Sequence, residues 1–240
     1  MVLNSSALRL ICDDGICPMR KLIFFIAFAI FPLISRATNI TLQGSFSADD
    51  NIQFFSVSVA APATIDIRSY GYAGGTTSTG AVVPRGGFDT ILTLFSASGV
   101  FIDDNDDGAG VAADPATGQA ADARITANLA AGSYILAVTE YDNFSIGNLS
   151  DGFAETGNHN FTADPNFATG GACPGGLFRD ISGTAGRCRT GNWALDFVNV
   201  TSVTSVPEPE TTALFGAGLL GFALVSRRKR RVWRSAARRT

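Results

Sequence analysis

From residue 38 to residue 206 the apolar residues come in short runs that alternate with polar ones and are broken every few positions by Gly, Asn, Asp or Ser. No window of this stretch sustains the 3.6-residue period of an amphipathic helix, so its backbone hydrogen bonds must be made between strands. The spacing predicts eight strands, at 39–42, 52–59, 64–69, 90–95, 100–102, 124–129, 134–139 and 193–203. In the seventh, Tyr134, Leu136 and Val138 share one face and Ile135, Ala137 and Thr139 the other, the pattern of a strand with one face turned to a core. Ser96-Ala97-Ser98-Gly99 and Ala130-Ala131-Gly132 supply tight connections, which favours hairpins and stacked sheets over an α/β layout. The expected fold class is all-β, a jelly-roll-like β-sandwich. Residues 71–87 read as a Gly- and Thr-rich loop; without a Lys and a following helix, a phosphate-binding role is a poor fit.

Both ends of the chain differ from this middle. Met19-Arg20-Lys21 opens a basic region, 22–34 is apolar, and Ser35-Arg36-Ala37 offers small residues at the positions a signal peptidase reads, so cleavage is expected between Ala37 and Thr38. Thirteen residues span about 20 Å as a helix, less than the ~30 Å of a hydrocarbon core, which suits a signal helix better than a permanent span. Residues 1–18, with Cys12 and Cys17, then read as an extension upstream of the true start at Met19. At the other end Val206-Pro207-Glu208-Pro209 precedes an apolar run at 211–225, a short transmembrane helix by pattern. Arg227, Arg228, Lys229, Arg230 and Arg231 follow it, with a basic tail at 232–240.

The net charge of −3 conceals a strong asymmetry. Residues 38–206 carry seventeen Asp and Glu against six Arg and no Lys, whereas 227–239 carry eight basic residues and no acidic one. A cationic tail stays on the cytoplasmic side of a membrane, which places the acidic segment outside. Nucleic acid is excluded as a partner of that segment, because phosphate neutralisation needs a basic surface.

The order Pro-Glu-Pro, apolar run, Arg cluster resembles the PEP-CTERM sorting signal of Gram-negative bacteria. That resemblance implies recognition by an exosortase-type membrane peptidase after the signal peptidase has acted, and a destination at the cell surface or in the extracellular matrix. Tails of this type also end some ice-binding proteins. A plain anchored surface protein is the alternative, since basic flanks suit any single span.

A second resemblance lies within the β-patterned segment. The run Gly87-Phe88-Asp89-Thr90-Ile91-Leu92-Thr93-Leu94-Phe95, then Gly99-Val100-Phe101-Ile102-Asp103-Asp104-Asn105-Asp106-Asp107, then Asp122-Ala123-Arg124-Ile125 and Leu129-Ala130-Ala131-Gly132-Ser133-Tyr134-Ile135-Leu136-Ala137-Val138 is similar to the bacterial pre-peptidase C-terminal (PPC) domain. These are β-sandwich accessory modules of secreted proteins, often calcium-stabilised; the similarity covers roughly 44–200. Tyr70-Gly71-Tyr72-Ala73-Gly74-Gly75 and Tyr141-Asp142-Asn143-Phe144 resemble an exported subfamily that commonly carries PEP-CTERM tails.

Candidate chemistry concentrates at Asp103-Asp104-Asn105-Asp106-Asp107-Gly108. Asp103, Asn105 and Asp107, followed by Gly108 and by Asp114, have calcium-loop spacing with Asp in place of the final Glu, and Asp89 and Asp122 are candidates to complete the site. A solvated acidic turn is the competing reading. Cys173 and Cys188, two thiols in an exported segment, are expected to form a disulfide. His159 stands alone among Gly157, Asn158 and Asn160 with no nucleophile motif, which argues against a hydrolase of the Ser or Cys type. Glu140 and Glu155 are the glutamates a carbohydrate-active enzyme would use. Tyr70, Tyr72, Phe144, Phe153, Phe161, Phe167 and Phe178 are candidate sugar-stacking or edge-sealing rings. Thr76, Thr77 and Thr79 lack the regular array that ice binding needs. The expectation is a non-enzymatic exported binding or structural module, residues 38–205, associated with exopolysaccharide.

Overall fold

The structure is a computed structural model that describes residues 36–164, 166, 167, 173, 178–180 and 188–206. The predicted signal segment up to 35, the Pro-Glu-Pro residues, the apolar run at 211–225 and the basic cluster lie outside the described residues.

Eleven strands are present among the described residues: β1 (Thr38–Ser45), β2 (Gln53–Val59), β3 (Ala63–Ser69), β4 (Gly75–Thr76), β5 (Val82–Val83), β6 (Thr90–Ser96), β7 (Phe101–Asn105), β8 (Arg124–Leu129), β9 (Gly132–Glu140), β10 (Asn192–Val200) and β11 (Ser202–Val206). They form an antiparallel four-stranded sheet in the order β1-β10-β3-β8, an antiparallel five-stranded sheet in the order β11-β2-β9-β6-β7, and the small ribbon β4-β5. The fold is all-β, as the alternation predicts. The long strand expected at 193–203 is two strands: the chain breaks at Thr201, whose N–H bonds the Ser58 carbonyl (2.7 Å), and passes from one sheet to the other. The expected loop at 71–87 contains the β4-β5 ribbon, which Asp196 of β10 holds through the Ser78 N–H (2.7 Å) and hydroxyl (2.8 Å).

Between the two sheets lies the main core, with Phe55, Val57, Leu92, Leu94, Leu136 and Val138 from one sheet facing Ile65, Ile67, Ile125, Leu195 and Phe197 from the other. Burial of this area is the dominant favourable term in the fold. Trp193 crosses over Gly44 on the adjacent strand, where any β-carbon would overlap the indole. β9 departs from a one-faced strand. Leu136 and Val138 enter the main core, while Ala137 and Ile135 pack with Phe54, Phe95 and Phe153 in a second cluster on the outer face of the five-stranded sheet. Part of the segment between β9 and β10, including the 3-10 turn at Leu149–Asp151, covers that face.

Candidate functional site

The predicted calcium ligands are dispersed among four structural roles. Asp103 and Asn105 lie on β7, on an edge strand and not in a loop, and Asn105 accepts the Arg124 N–H (2.8 Å). Asp103 accepts the Asp104 N–H (3.1 Å), and exposed Asp107 follows the strand. Asp122 is buried between Ser69 Oγ (2.8 Å), Tyr72 N–H (3.1 Å) and Ala73 N–H (2.9 Å), so it anchors the turn after β3. Burial pushes its carboxyl up while these donors pull it down.

Asp114 is removed from the predicted set altogether. Its fully buried carboxylate is gripped in two places by Arg85, Nε to Oδ1 at 2.7 Å and Nη2 to Oδ2 at 2.8 Å, and also meets Arg189 Nη2 at 2.9 Å. The Arg85 hydrogen bonds hold it well below the usual carboxylate range, with Arg189 adding to the effect. Arg189 lies 3.5 Å from the centre of the Tyr72 ring and donates to Asp180 Oδ2, which the Tyr72 hydroxyl also reaches (2.7 Å). Tyr72 is therefore a buried member of an ion-pair network and not an exposed stacking ring; Phe153, Phe161 and Phe178 are buried as well. The residues of the 103-105-107-114 spacing are thus divided between the β7 edge and the ion pairs of Arg85 and Arg189.

Asp89 remains a candidate, in new company. It and Glu140 sit where β6 and β9 pair, Thr90 opposite Glu140, and both carboxyls are buried with one oxygen each, Asp89 Oδ1 and Glu140 Oε2, lacking any hydrogen-bond partner. Asn143 Nδ2 is likewise buried and unpartnered. Burial first, then the charge of Asp107, pushes Asp89 well above the ordinary carboxylate range. Glu140 is raised well above its own range by burial and then by Asp89. A raised acid binds protons more tightly folded than unfolded, so stability is lost as pH rises from the unfolded value of about 4 through the folded one. Asp114 acts oppositely: its contribution is present above about 4 and is lost as pH falls through its depressed folded value. No group of three or more His, Cys, Asp or Glu side chains among the described residues is arranged to hold a metal ion.

Cys173 and Cys188 are joined in a disulfide, closing a loop with a sequence separation of 15. On the chain-entropy account a loop of this size is stabilised by about 3 kcal/mol.

Sequence reasoning missed Asp49 and Asp50. Asp49 is fully buried and accepts the Asn160 N–H (2.7 Å), the Thr162 N–H (2.8 Å) and the Thr162 hydroxyl (2.8 Å). Asp50 accepts the Gly157 N–H (3.2 Å) and the His159 Nδ1–H (2.6 Å). These adjacent carboxylates pin the covering segment over the five-stranded sheet, beside a cleft of about 1070 Å³ lined by Ile52, Phe54, Ile135, Leu149 and His159 among others. Ahead of β2 the Asp-Asp-Asn run carries no motif of its own, and the one signal available was the lone His.

β11 ends at Val206, opposite Phe54. Beyond it the sequence carries the Pro-Glu-Pro, apolar and basic order. Residues 205–230 match the PEP-CTERM protein-sorting motif. The PEP-CTERM motif implies export, passage through the membrane and processing by exosortase, a membrane protein, to a surface or extracellular location. Its first two residues, Ser205 and Val206, belong to β11, so the PEP-CTERM motif starts inside the last strand of the sheet with no linker between them. No curated protein matches the chain.

Proposed function

We propose that the chain is a non-enzymatic component of the cell surface or exopolysaccharide matrix, in which a PPC-like β-sandwich is delivered and released by the sorting tail. The observation that carries this reading is the continuity of β11 with the PEP-CTERM motif. Four residues, 207–210, separate Val206 from the apolar run and reach at most about 14 Å when extended. The folded sandwich is therefore held against the membrane until the tail is cut, and nothing but that cut is needed to free it. A non-enzymatic role is supported by the chemistry of the candidate groups: Glu140 is sealed in the interior, and Glu155 is bonded to Asn158 Nδ2 (2.5 Å).

Intact-mass analysis of native protein from membrane and matrix fractions tests the reading. A matrix species that begins near Thr38 and ends close to Pro209 is expected, and its yield falls at least tenfold when Pro207, Glu208 and Pro209 are replaced by Ala. A species that keeps residues 227–240 and stays in the membrane in both proteins rules out matrix release and leaves a plain anchored protein.

Calcium belongs to the same reading, at a different place from the loop the sequence suggests. Asp89 and Glu140 are the two carboxylates that would hold it, with water completing the shell, and their unpartnered oxygens supply hard donors of the kind calcium takes. In chelator the protein is expected to melt higher at pH 5 than at pH 7.5, because carboxyls raised by burial bind protons more tightly folded than unfolded, and Glu140→Gln reduces the difference. Added calcium raises the pH 7.5 melting temperature of the wild type and not that of Asp89→Asn. A melting temperature indifferent to calcium in both removes calcium from the proposal.

A further inference from the structure

The cleft on the outer face of the five-stranded sheet has a composition unlike the rest of the exported segment. Residues 38–206 have a net charge of −11, yet the cleft lining contains one carboxylate, Asp50, and that carboxylate is tied to His159, the single histidine of the chain. In the cleft a polymer is thus not met by a field of carboxylates, unlike the smaller concavities beside Asp142, Glu155 and Asp164 or beside Asp66 and Asp196.

Its floor and rim differ in chemistry. Half-buried Ile52 and Ile135 form an apolar floor, backed by buried Phe54 and Phe153 of the second hydrophobic cluster. Along the rim stand neutral hydrogen-bonding groups, and two of them are anchored through their oxygens. Asn51 gives its side-chain oxygen to the Ser47 N–H (3.0 Å), the Ser47 hydroxyl (3.1 Å) and the Ala48 N–H (3.0 Å). Asn148 gives its side-chain oxygen to the Phe101 N–H (3.1 Å). With each oxygen anchored, the NH2 groups are the ends left to meet a ligand. Ser150 and Thr156 add hydroxyls on the same lining. His159 is held through Nδ1 by Asp50, which leaves Nε2 as the ring's second hydrogen-bonding end.

An apolar floor bordered by amide and hydroxyl groups matches a molecule with flat C–H faces and an edge of hydroxyls. A lipid tail would offer the amides and hydroxyls on this lining no partners, and burying polar groups unpaired is unfavourable. The volume of about 1070 Å³ is at the upper end of ligand sites, which run from about 300 to 1,000 Å³, so it holds several linked units and not one small metabolite. We propose that this cleft is a binding site for a hydroxyl-bearing saccharide chain, with Asn51, Asn148 and His159 as its hydrogen-bonding groups. The inference rests on the matrix reading above for its biological sense but not for its test, since sorting is read by mass and binding by spectroscopy.

Because the chain has one histidine, labelling histidine with 13C gives a single imidazole signal at the edge of the cleft. The full-length protein is titrated with tetrasaccharides, one set neutral and one set built of uronic acids. Saturable movement of the His159 signal by at least one set is expected, with affinity reduced about tenfold in Asn148→Ala and abolished in Ser150→Trp, which fills the cleft from an exposed position. An immobile signal at millimolar concentrations of every saccharide overturns the proposal. Movement that survives Ser150→Trp overturns it as well, since the sugar then binds elsewhere, and so does a response confined to an apolar peptide used as control.

Discussion

Replacing Arg189 by Met is expected to destabilise the sandwich by about 3–5 kcal/mol, the cost of removing a buried cation shared by two buried carboxylates, of which Asp114 keeps Arg85. For a domain of this size that lowers the melting temperature by roughly 10–15 °C. The Arg189 side chain is 3% exposed, and it meets Asp114 (2.9 Å) and Asp180 (3.1 Å), whose side chains are 0% and 1% exposed. It also donates to the Tyr72 carbonyl (3.3 Å) and stacks on the Tyr72 ring. Met fills a similar volume but returns neither charge nor donors, so the loss is electrostatic and not a cavity effect. Arg189→Lys keeps the charge, yet it lacks the planar fork that reaches two carboxylates at once, and it is expected to recover less than half of the lost stability. Thermal melts of the three proteins check the order wild type, Lys, Met. A Met variant within about 1 kcal/mol of wild type would show that the network contributes no net stability.

The second large effect is expected at Gly87. Its backbone lies between two other backbones: its N–H donates to the Gly71 carbonyl (2.8 Å), it bridges in parallel to Thr190, and the neighbouring Gly86 carbonyl accepts the Thr190 N–H (2.9 Å). A β-carbon there would overlap the Asn192 carbonyl oxygen and come within 2.8 Å of the Gly71 carbonyl oxygen. Both neighbours are main chain, so no side chain can swing aside. Gly87→Ala is expected to cost about 2–3 kcal/mol, the upper part of the range for overpacking, and to lower the melting temperature by roughly 5–10 °C. Gly80→Ala serves as the comparison, since nothing lies within 4 Å of its β-carbon position, although its φ of +84° adds a local strain of its own. If Gly87→Ala melts no lower than Gly80→Ala, the close approach of the three segments is not what the glycine serves.

Period-two alternation identified most of the strands because each has at least one face in a core, and burial enforces that pattern. It placed Arg124–Leu129 at both ends and most others within a few residues. It failed at Thr201, where the apolar rhythm runs on from β10 into β11 although the chain changes sheets. Alternation records which side of a strand is buried and not which sheet buries it. The same limit explains Asp114: a carboxylate that binds a metal and one that binds two arginines look alike until the arginines arrive from positions 85 and 189.

The sequence by itself determined that the middle of this protein is all-β, that it is strongly acidic, and that its end carries a sorting signal. Each of these is a property of neighbouring residues: side-chain alternation, local charge, and the order of proline, apolar and basic stretches. Only the tertiary structure decided which carboxylates are neutralised by arginine, which are buried without a partner, and that Asp50 and His159 stand together beside an open cleft. Those are contacts between residues such as 50 and 159 or 114 and 189, and they exist only after two sheets and a covering segment have packed.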